Sequence, residues 1–80
     1  MYYVYILRSQ VRPDQTYVGF THDLRARFAR HNAGGSRHTR KYRPWELQFY
    51  GAFRSELRAL AFEQYLKSHS GKAFAAKRFA

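Results

Sequence analysis

At 80 residues without a cysteine, the chain has room for one hydrophobic core, and neither a disulfide scaffold nor a Cys-based zinc site can hold it together. Hydrophobic residues (45%) and aromatics (19%) are too abundant for a disordered chain, and the longest apolar run, residues 2–7, is far short of a membrane span or a leader core, so one soluble domain over residues 1–80 in a reducing cytoplasm is expected. Fifteen Lys+Arg against five Asp+Glu leave a net charge of +10, with 11 Arg to 4 Lys, which suits a polyanionic partner because Arg forks phosphate oxygens in two parallel hydrogen bonds.

Residues 2–8 are rich in the β-formers Tyr, Val and Ile and predict a first strand. Pro13 and Asp14 mark residues 9–15 as a turn, and residues 16–20 predict a second strand, so the two form an antiparallel hairpin. In any even-sum register, such as Tyr5 opposite Gly19 and Leu7 opposite Tyr17, Tyr5 and Tyr17 emerge on one face. Residues 23–32 predict a helix, with Thr21 and Asp23 as capping side chains and Gly34-Gly35 as the stop. Its Leu24, Arg27, Phe28 and His31 share the side that should face the sheet, while Arg25 and Arg30 point outward. Residues 36–44 predict a basic loop carrying Arg37, Arg40, Lys41 and Arg43, with Tyr42 and Trp45 close by. Residues 46–53 alternate, Leu47, Phe49, Gly51 and Phe53 against Gln48, Tyr50 and Ala52, as a strand with one face on the core does. Ser55 caps a helix running to about residue 68; Ser70-Gly71 break the chain, and residues 72–79 form a short basic terminal helix. The order β-β-α-β-α-(α) predicts an α+β fold, a three-stranded antiparallel sheet flanked by helices.

Several of these residues admit two roles. The basic loop fits a nucleic-acid surface, with cations on phosphates and aromatics on exposed bases, or an ordinary solvated loop with Trp45 tucked into the core. Arg27 and His31 form an i, i+4 pair on a part-buried face, which is costly unless the pair meets an anion or a polar cleft; the alternative is a snorkelling Arg and a neutral, hydrogen-bonded core His. Tyr5 and Tyr17 fill a core or share a site. Glu63 pairs with Lys67 one turn on, or it ligates a metal, since Mg²⁺ keeps most of its waters and needs only one or two carboxylates plus a substrate phosphate.

Taken in order, these residues resemble the GIY-YIG nuclease superfamily, and within it the small stand-alone bacterial domains. Tyr3-Val4-Tyr5 stands at the first signature triplet and Tyr17-Val18-Gly19 at the second. Phe20-Thr21, Asp23-Leu24, Arg27 and His31-Asn32 continue the core motif; Thr39-Arg40-Lys41, Pro44-Trp45 and Leu47 resemble the approach to the third strand. Ala59, Glu63, the run from Tyr65 to Ser68, Gly71, Phe74 and Lys77 resemble the tail of the stand-alone group, so the resemblance covers essentially the whole chain. Tyr3 replaces the Gly of the first triplet, and Phe20 stands where some members carry a catalytic lysine.

The resemblance implies a site of Tyr5, Tyr17, Arg27 and His31 with Glu63 as the ligand of Mg²⁺ or another divalent cation such as Mn²⁺. In that scheme Arg27 stabilises the phosphoryl oxygens, and a Tyr bonded to His31 takes a proton from water, its pKa lowered by cationic neighbours. It leaves open which Tyr does so. Nucleic-acid contacts fall to Arg25, Arg30, Arg37, Arg40, Lys41, Arg43 and Lys67. The expected activity is metal-dependent endonuclease cleavage, of DNA ahead of RNA, in repair, recombination or processing, with no membrane role and with a protein partner for targeting. The alternative is a non-catalytic nucleic-acid-binding module of the same fold.

Overall fold

Alternation along the first strand decides the architecture. The computed structural model describes residues 1–79, and Ala80 lies outside them. Strands β1 (Tyr2–Ser9), β2 (Thr16–Thr21) and β3 (Trp45–Phe53) form one antiparallel sheet in the order β2-β1-β3, joined by helices α1 (Leu24–Asn32), α2 (Glu56–Lys67) and α3 (His69–Phe79). This is the expected α+β fold and element order. The central strand is covered on both sides, so its alternating side chains build two separate cores. Val4 and Ile6 cluster with Ala59 and Leu66 beneath α2, with Phe49, Phe53, Phe62 and Phe74 packed around them. Tyr5 and Leu7 point the other way and cluster with Trp45, with Tyr17, Leu24, Phe28 and Tyr42 around them.

The hairpin register pairs Tyr5 with Gly19 and Leu7 with Tyr17, so the two tyrosines do share a face. Gly19 is required there: a Cβ on it would land on the Tyr5 hydroxyl, so only a bare Cα lets the Tyr5 ring lie across β2. Trp45 is 3% exposed, the core role, and its indole N–H donates to the Thr39 carbonyl at 2.8 Å.

Three expectations need correction. The alternation of β3 does not run through Leu47: Ile6 pairs with Phe49 but Leu7 pairs with Leu47, so a bulge at Gln48 resets the pleat. Leu47 thereby leaves the face of Phe49 for the α1 side and is 37% exposed. The basic loop is not wholly irregular, because Arg40–Tyr42 form a 3₁₀ turn. Finally, Ser70-Gly71 do not break the chain. The break is at Ser68, whose extended backbone ends α2 and whose hydroxyl accepts from Gly71 N at 3.1 Å, capping α3. Gly71 is buried inside α3 because a Cβ there would strike the Tyr65 carbonyl, so the glycine allows close approach of two helices rather than a turn.

Candidate active site

The site is assembled on the α1 face of the sheet. Asp23 N-caps α1 by accepting from Ala26 N at 3.1 Å, and Thr21 holds the Asp23 amide at 3.1 Å. The helix ends in paired reverse bonds, Gly34 N to His31 O and Gly35 N to Arg30 O, with Gly34 at φ +82°. Both ends being fixed, the phase of the helix is fixed too: Leu24, Arg27 and Phe28 are half-buried and His31 is buried, whereas Arg25 and Arg30 are exposed. Asn32 adds a clamp, bonding both the amide and the carbonyl of Trp45, which ties the end of α1 to the start of β3.

His31 is the hub. Its Nε2 lies 2.9 Å from the Tyr5 hydroxyl and its Nδ1 2.6 Å from Thr39 Oγ1. The Tyr17 ring packs on its other side, with centroids 5.1 Å apart. Burial pushes the His31 pKa below its ordinary value, and the Arg27 and Arg30 guanidiniums push the same way. The ring is therefore neutral at pH 7. A neutral imidazole has one N–H, so it donates one of its two bonds and accepts the other. The result is a buried chain, Tyr5–His31–Thr39, with no formal charge in it.

Burial pushes the Tyr5 phenol up to about 12; Tyr17 and Glu63 add to the rise and the nearby Arg27 guanidinium opposes it. This corrects the expectation that cationic neighbours lower a tyrosine at this position: for Tyr5, desolvation wins. Tyr5 is 0% exposed. Tyr17 is different. It is half-buried and lines an open cleft of about 140 Å³ together with Arg27, Arg30, His31 and Ser36. Arg30, expected to point away, is exposed yet rims this cleft, its Nε reaching the Gly35 carbonyl at 3.4 Å.

Glu63 lies on α2, which packs on the opposite face. Its side chain is 16% exposed and pairs with Lys67 at 3.1 Å, the simple i, i+4 bond; even so, it stands near enough to Tyr5 to raise that phenol. Among the described residues no group of three His, Cys, Asp or Glu could cage a metal ion. The basic loop is split. Arg37, Arg40, Lys41 and Arg43 are all exposed, but the Lys41 ammonium sits 5.4 Å from the Tyr42 ring and the Arg43 guanidinium lies over Gly34 at the end of α1. Arg25 faces a different recess, beside Tyr3, Leu24 and Tyr50. Phe20 packs into the α2-side core and leaves no amine at that position. Thr39 and Asn32, which orient His31 and Trp45, carry no signal in helical or strand spacing; only the folded chain brings them to the site.

A two-faced α+β domain thus brings one open tyrosine, two arginines and a histidine to a single cleft, with a second tyrosine buried behind it. Residues 1–78 match the GIY-YIG catalytic domain, and the chain belongs to that family. It is 40% identical over 75 residues to a UPF0213 protein of Pediococcus acidilactici, covering 89% of this chain and 74% of that protein. It is 42% identical over 78 residues to the structure-specific endonuclease subunit SLX1 of Malassezia globosa, covering 90% of this chain but only 17% of that longer protein. The solution NMR structure of a UPF0213 protein from Bacillus halodurans matches with a TM-score of 0.58 at 30% identity, covering 100% of this chain and 88% of that one. No helix among the described residues is long and apolar enough to cross a membrane.

Proposed function

We propose that the chain is a metal-dependent endonuclease that hydrolyses phosphodiester bonds, of DNA ahead of RNA, with Tyr17 as the proton acceptor. The observation that carries this is the convergence of Tyr17, Arg27 and His31 on one open cleft, with Tyr5 held behind it. Arg27 offers a forked, permanent positive charge to the non-bridging oxygens as charge builds on them. No hydrogen bond among the described residues ties the Tyr17 hydroxyl, so it is free to meet the attacking water. Tyr5, protonated and buried, is a positioning residue: it fixes the His31 ring, whose edge supports Tyr17. Tyr17, acting as the phenolate, takes the proton of the attacking water and gives it up to solvent through the open cleft, while His31, with both ring nitrogens already bonded, stays neutral and holds the geometry.

Glu63 suits Mg²⁺ or Mn²⁺ in one respect and limits the site in another. It is a part-buried oxygen donor near Tyr5, and it is a single carboxylate. That fits an ion that keeps most of its waters and shares a phosphate, rather than one caged by protein. Held by Glu63, such an ion would supply positive charge to the phosphate and the departing oxyanion. Lys67, half-exposed beside Glu63, would be the cation placed to face a phosphate there.

The name of the SLX1 relatives, a structure-specific endonuclease subunit, supports a substrate recognised by its structure and a protein partner. We extend the proposal to branched DNA and to repair, recombination or processing in the cytoplasm. The test is incubation of pure protein with labelled single-stranded, duplex and branched DNA and with RNA, in Mg²⁺ or EDTA. Cleavage in Mg²⁺ alone supports the proposal. Tight binding with no cleavage of any substrate replaces it with the non-catalytic binding module.

A further inference from the structure

A second, larger recess of about 560 Å³ also begins at Tyr17 but opens on the other side of the sheet, between the hairpin turn and α3. Three of its lining residues are cations, Arg8, Lys67 and Lys72, over an apolar floor that includes Val18 and Leu66. We propose that this groove is a phosphate-binding subsite that holds the nucleic-acid strand next to the scissile bond, with Arg8 as its anchor. The inference rests on the endonuclease proposal above and deepens it by assigning where the flanking strand lies.

Arg8 is the reason to look here. It sits on the central strand, directly opposite Thr16 on one side and Glu46 on the other. Its Nε is buried and has no hydrogen-bond partner. Folded proteins seldom leave a buried charged donor unmade, because the lost hydration is not replaced; such a group is commonly kept for a ligand. No carboxylate serves it: the ion pairs among the described residues are Arg12–Asp14 and Glu63–Lys67. Asp14, the acid at the rim of the groove, is engaged by Arg12, and that bond holds its carboxyl below the ordinary range. Arg8 and Lys72 therefore bring to the groove positive charge that no ion pair among the described residues matches. An apolar floor beneath cations suits sugar and base edges beneath phosphates better than it suits a free ion. Tyr17, on the edge strand β2, lines both recesses, so the cleft and the groove meet at that edge of the sheet. Lys67 completes the link, because it pairs with Glu63 at one end and lines the groove at the other.

The experiment compares wild type, Arg8→Met, Lys72→Gln and Arg58→Gln, the last an exposed charge at the start of α2 outside the groove. Each is tested for binding labelled single-stranded and branched DNA across a salt series in EDTA, for cleavage kinetics in Mg²⁺, and for thermal melting. Arg8→Met and Lys72→Gln are each expected to raise KM about tenfold, the worth of one charge-assisted contact. Each should also flatten the log–log salt dependence by about 0.7 to 0.9, one phosphate contact. Arg58→Gln should change neither. Arg8→Met should melt no lower than wild type, because methionine keeps the aliphatic stem and removes the unmade donor. A merely structural arginine would instead lower the melting point and leave KM alone. If Arg8→Met does not fold, Lys72→Gln on the exposed side of α3 decides the matter by itself. Wild-type cleavage with unchanged KM and salt slope in the groove variants overturns the groove and leaves the endonuclease standing. A wild type that neither binds nor cleaves any of these nucleic acids overturns both.

Discussion

The two faces of the sheet use the same strand for opposite purposes. Toward α2 and α3, β1 presents Val4 and Ile6 to a cluster of aliphatic and aromatic side chains. Toward α1 it presents Tyr5, Leu7 and Ser9, and the polar atoms there are bonded in sequence: Tyr5 to His31, His31 to Thr39, Trp45 to Thr39, Ser9 to the Tyr42 carbonyl. A face of the first kind gains from burial alone and tolerates rearrangement. A face of the second kind loses if any one partner is removed, so it holds its groups in a single geometry. The chemistry lies on the bonded face. The fold rests on the greasy one, and Glu63 is the residue that the greasy side contributes to the other.

That contrast is sharpest at Glu63. Glu63→Gln should reduce cleavage by about 10²-fold or more if the carboxylate holds the metal, the scale of losing one positioned electrostatic stabiliser. Melting should be little altered, since an i, i+4 pair of this kind is worth only about 0.2–0.5 kcal/mol and Gln keeps the shape and polarity of the part-buried side chain. A Mg²⁺ titration of cleavage run beside thermal melting separates the two. Full activity at ordinary Mg²⁺ would return Glu63 to the role of a simple partner for Lys67.

Leu66→Ala probes the other face. Leu66 is 1% exposed at the centre of the α2-side cluster, so truncation should cost about 2–5 kcal/mol of stability by denaturant unfolding. Cleavage measured well below the new melting point should keep wild-type kinetics. Loss of activity without loss of stability would mean that the two faces are not separable.

Tyr5→Phe makes the complementary cut. It leaves a His31 nitrogen without its partner and should cost about 1–3 kcal/mol. It should also change the pH dependence. Because Tyr5 is raised from 10.0 to about 12, the folded chain keeps a proton that the unfolded chain loses in that window, so wild-type stability falls as pH rises from 10 to 12. The variant should lose that dependence. At the acid end, His31 lies below its ordinary 6.5. The unfolded chain then takes up the proton first, and stability falls as pH drops through 6.5, in Tyr5→Phe as in wild type. Identical alkaline profiles for the two proteins would remove Tyr5 from the buried chain.

The smallest effect concerns the loop. Arg40 and Lys41 are exposed on the 3₁₀ turn, so replacing both with Ala should flatten the salt dependence of binding by about one to two units without touching the rate of bound substrate. A changed rate would place them in the cleft instead.

Much of this was legible in the residues themselves. Parity along the hairpin put Tyr5 and Tyr17 on one face, and helical spacing separated Arg27 and His31 from Arg25. Both rest on local periods that the fold left undisturbed. What escaped was set by distant contact. Gly71 reads as a breaker in one dimension and becomes a helix–helix contact in three. The bulge at Gln48 answers to β1, not to its own neighbours. Thr39 and Asn32 act 8 and 13 residues away from their partners. The ionisation of Tyr5 depended on how deeply it is buried, which a charge count does not report. Arg8, an ordinary strand cation in the sequence, became notable only once its Nε was found buried and unbonded.

The central claim is that the open tyrosine acts on the substrate and the buried one positions His31. Single-turnover cleavage of a labelled branched DNA by Tyr17→Phe, with melting recorded in parallel, tests it most directly. The expected result is a loss of about 10²- to 10⁴-fold, the range for removing a general base, at an unchanged melting point. A Tyr17→Phe protein that folds and cuts at the wild-type rate would contradict the account.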